Sequence, residues 1–224
     1  MNVLVACEES QAVTIQLRAL GHNAFSCDLQ ECSGGFPEYH IKSSCISLLN
    51  GFTDFQTSDG VIHQIPGLWD LIIAHPPCTY LSFAGNKYLS PKFSSPDKIA
   101  ERLALRQSAA EFFLAIYNAH CPHIAVENPV GYMNSAFRKP DQVIYPYYFG
   151  DSDSKRTCLW LKNLPLLVPD YVSPKPEPVY IQDNGKRRYF VETCSGIDRQ
   201  KLRSKTFPGI ARAMAYQWTN NFWL

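Results

Sequence analysis

No stretch of this chain approaches the 18 or so consecutive apolar residues that a membrane-spanning helix requires. There is no CxxC pair either, although eight cysteines are present. Cys27 and Cys32 are separated by four residues, and His120-Cys121-Pro122-His123 is the one tight Cys/His cluster. Scattered thiols of this kind read as reduced cysteines of a cytosolic protein, not as a disulfide scaffold or a zinc site, so no metal is expected. Internal repeats and low-complexity segments are missing as well. The opening "MNVLVACEES" reaches Glu8 and Glu9 too soon to serve as a secretory signal, which points to the cytoplasm.

What remains is an ordinary globular composition, 46% apolar and 18% charged over 224 residues. That is enough chain for one well-filled α/β domain with a small appendage. The net charge of +1 hides an asymmetry. Residues 1–150 carry 9 Lys/Arg against 13 Asp/Glu, and residues 151–224 carry 12 against 7. A basic C-terminal third on a near-neutral protein hints at a phosphate-bearing partner.

The apolar runs predict strands at 2–7, 23–29, 69–74, 123–128 and 157–161, each too short for a helix. Between the first two, Ser10 is expected to cap a helix over "QAVTIQLRAL", with Gly21 supplying the positive φ at its end. The result is a βαβ unit, and hence a parallel sheet. Residues 40–49 suggest a strand edge and a helical turn, and "TSDG" a loop. Ser95, Pro96 and Asp97 start a long helix to about Ala119, with Ile99, Leu103, Ala110, Phe113 and Tyr117 at helical spacing. The polar-aromatic segment 79–95 before it reads as a mobile loop over a site. Further on, "VYIQDNGKRRYFVET" (179–193) predicts a β-hairpin with a type I′ turn at Asn184-Gly185, and "GIARAMAYQW" an amphipathic helix.

Three of the strands end in chemically useful residues: Asp28, Cys78 and Glu127-Asn128. In open α/β sheets ligands bind at that carboxyl edge. The thiol follows a double proline, which fixes the backbone and presents the next side chain in a set direction. A thiolate facing a carboxylic acid suits one problem in particular. Carbon 5 of cytosine is a poor nucleophile; adding sulfur to C6 makes it an enamine carbon, and an acid at N3 stabilises the developing charge.

On these residues the chain resembles the DNA cytosine-5 methyltransferase family. "AHPPC" (74–78) is similar to that family's Pro-Cys nucleophile motif and "VENP" (126–129) to its Glu-Asn motif, in the same order and about fifty residues apart. The whole chain looks like the short stand-alone members of phages and prophages. "FGDSDSKRTCLWL" (149–161) resembles the family's basic motif, and "FPGIARAMA" (207–215) its C-terminal helix.

The resemblance implies a Rossmann-like S-adenosylmethionine-dependent methyltransferase fold, a mostly parallel sheet with helices on both faces. The catalytic domain would comprise 1–161 and 205–224. Residues 162–204 would form a proline-rich linker and basic hairpin, a reduced target-recognition region. It also implies methyl transfer from S-adenosylmethionine to C5 of a cytosine flipped out of DNA. Cys78 would be the nucleophile, with a pKa below the free value of about 8.5, and Glu127 the N3 partner. Asn128 would hold the cysteine loop, while Lys155 or Arg156 approaches the base carbonyl or a phosphate.

Cys7, Glu8, Ser10, Asp28 and Pro76 are the positions expected to line the cofactor, with Glu8 or Glu9 meeting its amino group. Lys186, Arg187 and Arg188 would contact DNA phosphates. Two departures stand out. The first turn, "ACEESQAV", has no glycine where the family has Phe-x-Gly-x-Gly, and only about fifty residues separate Leu161 from Gly209. Three other readings are therefore carried: an exocyclic-amino (N4 or N6) methyltransferase, an enzyme of free cytosine nucleotides, and an inactive DNA- or partner-binding homologue.

Overall fold

The computed structural model describes residues 1–193 and 204–220. The parts of the predicted 162–204 and 205–224 segments that fall on 194–203 and 221–224 lie outside them. Seven strands form one sheet, ordered β3-β2-β1-β6-β7-β9-β8. They are β1 (Asn2–Ala6), β2 (Asn23–Asp28), β3 (His40–Lys42), β6 (Leu71–Ala74), β7 (His123–Pro129), β8 (Gln142–Ile144) and β9 (Thr157–Lys162). The first five run parallel, and β9 inserts antiparallel between β7 and β8.

Period-two alternation divides the sheet into two apolar faces. Val3 and Val5 of β1 point to one face, where α1 (Ala12–Ala19) and the last helix, α6 (Pro208–Asn220), supply Val13, Leu17, Ile210 and Trp218. Leu4 and Ala6 point to the other, covered by α2 (Ile46–Leu49) and by Phe113 and Ile116 of α3 (Pro96–Tyr117). The chain is thus an α/β protein with a mostly parallel seven-stranded sheet and helices on both faces. Two buried tryptophans each find a partner for the indole N–H: Trp160 donates to Arg138 O at 2.9 Å and Trp218 to Pro165 O at 3.0 Å. Among the described residues no helix is long and apolar enough to cross a membrane.

Several local expectations change. Ser10 caps nothing: α1 starts at Ala12, after Gln11 in the left-handed region, with no side-chain bond from the cap residue. "TSDG" turns a small hairpin between β4 (Asp54–Gln56) and β5 (Ile62–Gln64). The basic hairpin pairs only Tyr180–Ile181 (β10) with Arg187–Arg188 (β11), and Phe190–Thr193 is helical (α5). Its turn is not type I′. Gly185 N–H donates to Gln182 O, so Asp183 and Asn184 take the centre, and Gly185 alone has positive φ, at 77°.

The segment after Cys78 has regular structure of its own. It contains a 3-10 helix (Phe83–Leu89) held from α3 by Arg102 and Arg106. Arg102 donates to Thr79 O at 3.1 Å, and Arg106 to Tyr80 O at 3.0 Å and Asn86 Oδ1 at 2.6 Å. This is why Leu103, expected on the apolar face, is exposed while Arg106 is buried. The first half of α3 holds the strap, and only the second half packs on the sheet.

Candidate active site

Strand order reverses between β1 and β6, so the carboxyl ends of β1, β2, β6 and β7 surround a topological switch point. The register carries the alternation past the strand ends. Ala74 lies beside Val126, which sets His75 beside Glu127 and Pro76 beside Asn128. Following Ile73 and Ala125, His75 and Glu127 belong to the α1/α6 face; Pro76 and Asn128 belong to the α3 face.

On the α3 face Asn128 is 2% exposed and donates from Nδ2 to the Pro76 carbonyl at 2.8 Å. That bond braces the proline corner directly ahead of Cys78. Cys78 itself is exposed, and its carbonyl accepts the N–H groups of Leu81 and Ser82, so the chain turns sharply away behind it. Its surroundings differ from those of the other cysteines. Cys7, half-buried and hydrogen-bonded to Cys45, is held well above the ordinary thiol range. Cys121 of the "HCPH" cluster, pushed up to about 11 by burial, donates to the Trp69 and His123 carbonyls. Among the described residues no group of three or more His, Cys, Asp or Glu is placed to hold a metal.

On the opposite face His75 Nδ1 lies 3.1 Å from Glu127 Oε2, with side chains 7% and 13% exposed. Glu127 borders a cleft shared with Lys155, Thr157, Lys205, Thr206, Phe207 and Ile210. Burial alone would raise its carboxyl, but the His75 bond and the charges of Lys155 and His75 outweigh it, and the group sits below the ordinary carboxylate range. Of the two basic candidates, Lys155 belongs here. Arg156 lies on the exposed side of a separate depression with Lys139 and Tyr145 and is not part of the Glu127 cleft.

The first turn distributes its acids unequally. Glu8 is already engaged: its carboxylate accepts the N–H of Val13 at 2.6 Å and of Thr14 at 3.3 Å, and the Thr14 hydroxyl at 2.7 Å. It caps α1 in place of Ser10. Glu9 is the reverse case, 7% exposed with no partner for either oxygen among the described residues. A buried, unpaired carboxylate is costly, and a ligand ammonium or hydroxyl group would relieve it. Asp28 ends β2 and closes a turn by accepting the Gln30 N–H with Oδ1. The glycine missing from the first turn has a counterpart in the loop after β2. A Cβ on Gly34 would lie 2.7 Å from the Ser10 carbonyl and from Gln11, so only glycine lets that loop close on the turn.

Lys186 and Arg187 are exposed and Arg188 is half-buried on the small hairpin. Sequence reasoning named neither Lys205–Phe207 nor His75 as site residues. His75 was within reach of period-two alternation, since it follows Ile73 by two as Glu127 follows Ala125. No family model and no curated protein matches the chain.

Proposed function

We propose that this chain is a methyltransferase that moves a methyl group from S-adenosylmethionine to C5 of cytosine in DNA, through a transient bond between Cys78 and C6. One observation carries the reading. An exposed cysteine on a braced double-proline corner and a half-buried carboxylate lined with cations stand at the carboxyl ends of two adjacent parallel strands.

In this reading Cys78 supplies the sulfur nucleophile, and the Asn128–Pro76 bond fixes the corner that presents it. Glu127 faces the ring nitrogen N3. Lys155 stands where a cation can meet the base carbonyl. The cofactor supplies an electrophilic methyl group when bound. Glu9 is the acid left for its ammonium group, and Asp28 has a second oxygen for a ribose hydroxyl. The C-terminal third has the positive balance that DNA phosphates call for, and Lys186, Arg187 and Arg188 contribute to it.

The decisive experiment is incubation with labelled S-adenosylmethionine and DNA, then nucleoside mass spectrometry. The expected product is 5-methylcytosine, abolished by Cys78→Ser. N4- or N6-methylated bases that survive that substitution would assign the chain to exocyclic-amino chemistry instead. Parallel incubations with dCTP separate nucleotide from polymer substrates. Failure to bind the cofactor in calorimetry would leave a DNA- or partner-binding protein.

A further inference from the structure

Resting on the reading of Glu127 as the N3 partner, we infer that His75 is its positioning residue: it orients the Glu127 carboxyl and holds with it the proton that N3 receives. The geometry is specific. The His75 N–H donates to Ala6 O at 3.0 Å, continuing the β1 pairing, so the backbone of the residue is fixed. Its Nδ1 engages Glu127 Oε2 at 3.1 Å, which leaves Oε1 for a base.

Groups on every neighbouring element face this imidazole. Glu8 acts on it from the turn after β1, and Glu127 from β7. Lys155 stands beside Glu127 ahead of β9, and Lys205 borders the same cleft. The Thr206 hydroxyl lies 3.5 Å from Nδ1.

A difficulty in the chemistry makes His75 necessary. The N3 partner must deliver a proton, yet Glu127 is held in its ionised form. The pair resolves this by sharing one proton between His75 Nδ1 and Glu127 Oε2. Nε2 of His75 is buried with no hydrogen-bond partner among the described residues, so Nδ1 is the ring nitrogen through which His75 exchanges a proton with Glu127.

As the Cys78 thiolate forms its bond to C6, the C5=C6 pair shifts to C4–C5 and the C4=N3 pair moves onto N3. The pair's one proton passes from His75 Nδ1 to the Glu127 carboxyl, which delivers it to N3, leaving neutral imidazole and carboxylate. The second C4–C5 pair then bonds C5 to the methyl group, which S-adenosylmethionine would give up to leave as S-adenosylhomocysteine, the N3 pair re-forms C4=N3, and C5 releases its hydrogen as a proton to water. The C5–H pair re-forms C5=C6, the sulfur leaves as thiolate, and the N3 proton returns to the pair.

The test has two arms. Carboxyl-carbon NMR follows the titration of Glu127 in the wild type, His75→Leu and His75→Asn, all as the full chain. Asparagine keeps a donor near the Nδ1 position and cannot titrate. We expect the Glu127 titration to move up by about one pH unit or more in His75→Leu, and by less in His75→Asn. No movement in either variant overturns the positioning role.

Single-turnover methyl transfer across pH is the second arm. His75→Asn is expected to slow it about 10- to 100-fold and to flatten the pH profile. An unchanged rate and profile overturn the proton-holding role. A wild-type protein that yields no 5-methylcytosine overturns the N3 assignment itself, while the NMR arm still decides whether His75 sets the Glu127 carboxyl.

Discussion

Asn128 Nδ2 and the carbonyl oxygen of Pro76 are joined at 2.8 Å in a setting closed to water. This bond links β7 to the chain just past β6 and stands two residues before Cys78. Asn128→Ala removes the donor and strands the Pro76 carbonyl. The expected cost is about 1–3 kcal/mol, measured by urea denaturation. Asn128→Asp should cost at least as much, because a carboxylate aimed at a carbonyl cannot donate. Peptide-resolved alkylation should also show a changed rate at Cys78 and unchanged protection at Cys27 and Cys158.

Glu127 gives the protein an acid-side dependence whose sign follows from its depressed carboxyl. The folded protein takes up this proton at lower pH than the unfolded chain does. The stability involved is therefore complete above the unfolded-chain value of about 4.3 and lost as pH falls through the folded value beneath it. Glu127→Gln cannot titrate, so its stability should decline less steeply below about pH 5. Equal slopes for wild type and variant in that window, read from denaturation midpoints, would contradict the assignment.

Helix α1 offers a direct contrast between two candidate caps. Glu8→Ala removes the acceptor for the Val13 and Thr14 N–H groups and should cost about 1 kcal/mol. Ser10→Ala should fall within about 0.5 kcal/mol of wild type, since no side-chain bond from Ser10 supports the helix. Serine before an apolar-periodic stretch is a sound signal for a helix start, but here a buried acid two residues earlier reaches the same N–H groups.

That substitution of roles illustrates what can be read from local pattern and what cannot. The central strands were legible because continuous apolar runs such as "VLVA" and "LIIA" are buried on both sides of a parallel sheet. The edge strand Gln142–Ile144 and the hairpin strands around "TSDG" are three residues each and partly exposed, too short to carry a period. Cys78, Glu127 and Asn128 stood out because prolines flank them. His75 and Glu9 did not, because their importance lies in what is or is not opposite them in space.

The strap after Cys78 is held by Arg102 and Arg106 of α3, so its mobility can be tuned without touching the sheet. Arg106→Ala removes the bonds to Tyr80 O and Asn86 Oδ1. Trypsin should then cut faster after Lys87 and Lys92 under native conditions, while the circular dichroism spectrum stays that of the wild type. Gly131→Ala attacks the same contact from the other side, since its Cβ would lie 2.0 Å from the Leu81 carbonyl. Either substitution leaving the cleavage rate unchanged would mean that the strap is held elsewhere.

Lys155 and Arg156 are adjacent in sequence and divide between two depressions. Lys155 shares the Glu127 cleft, whereas Arg156 lines a separate basic surface with Lys139. Lys155→Ala should raise the Glu127 carboxyl toward its ordinary range, by loss of an adjacent positive charge. In the proposed reaction it should slow methyl transfer by about 10-fold or more, the scale expected for loss of one electrostatic contact to the base. Arg156→Ala should instead leave the rate at saturating DNA nearly unchanged and weaken DNA binding with a smaller salt dependence. Measuring rate and affinity for both variants at two salt concentrations separates the roles. If Arg156→Ala depresses the saturated rate as strongly as Lys155→Ala, the two side chains act on one site after all.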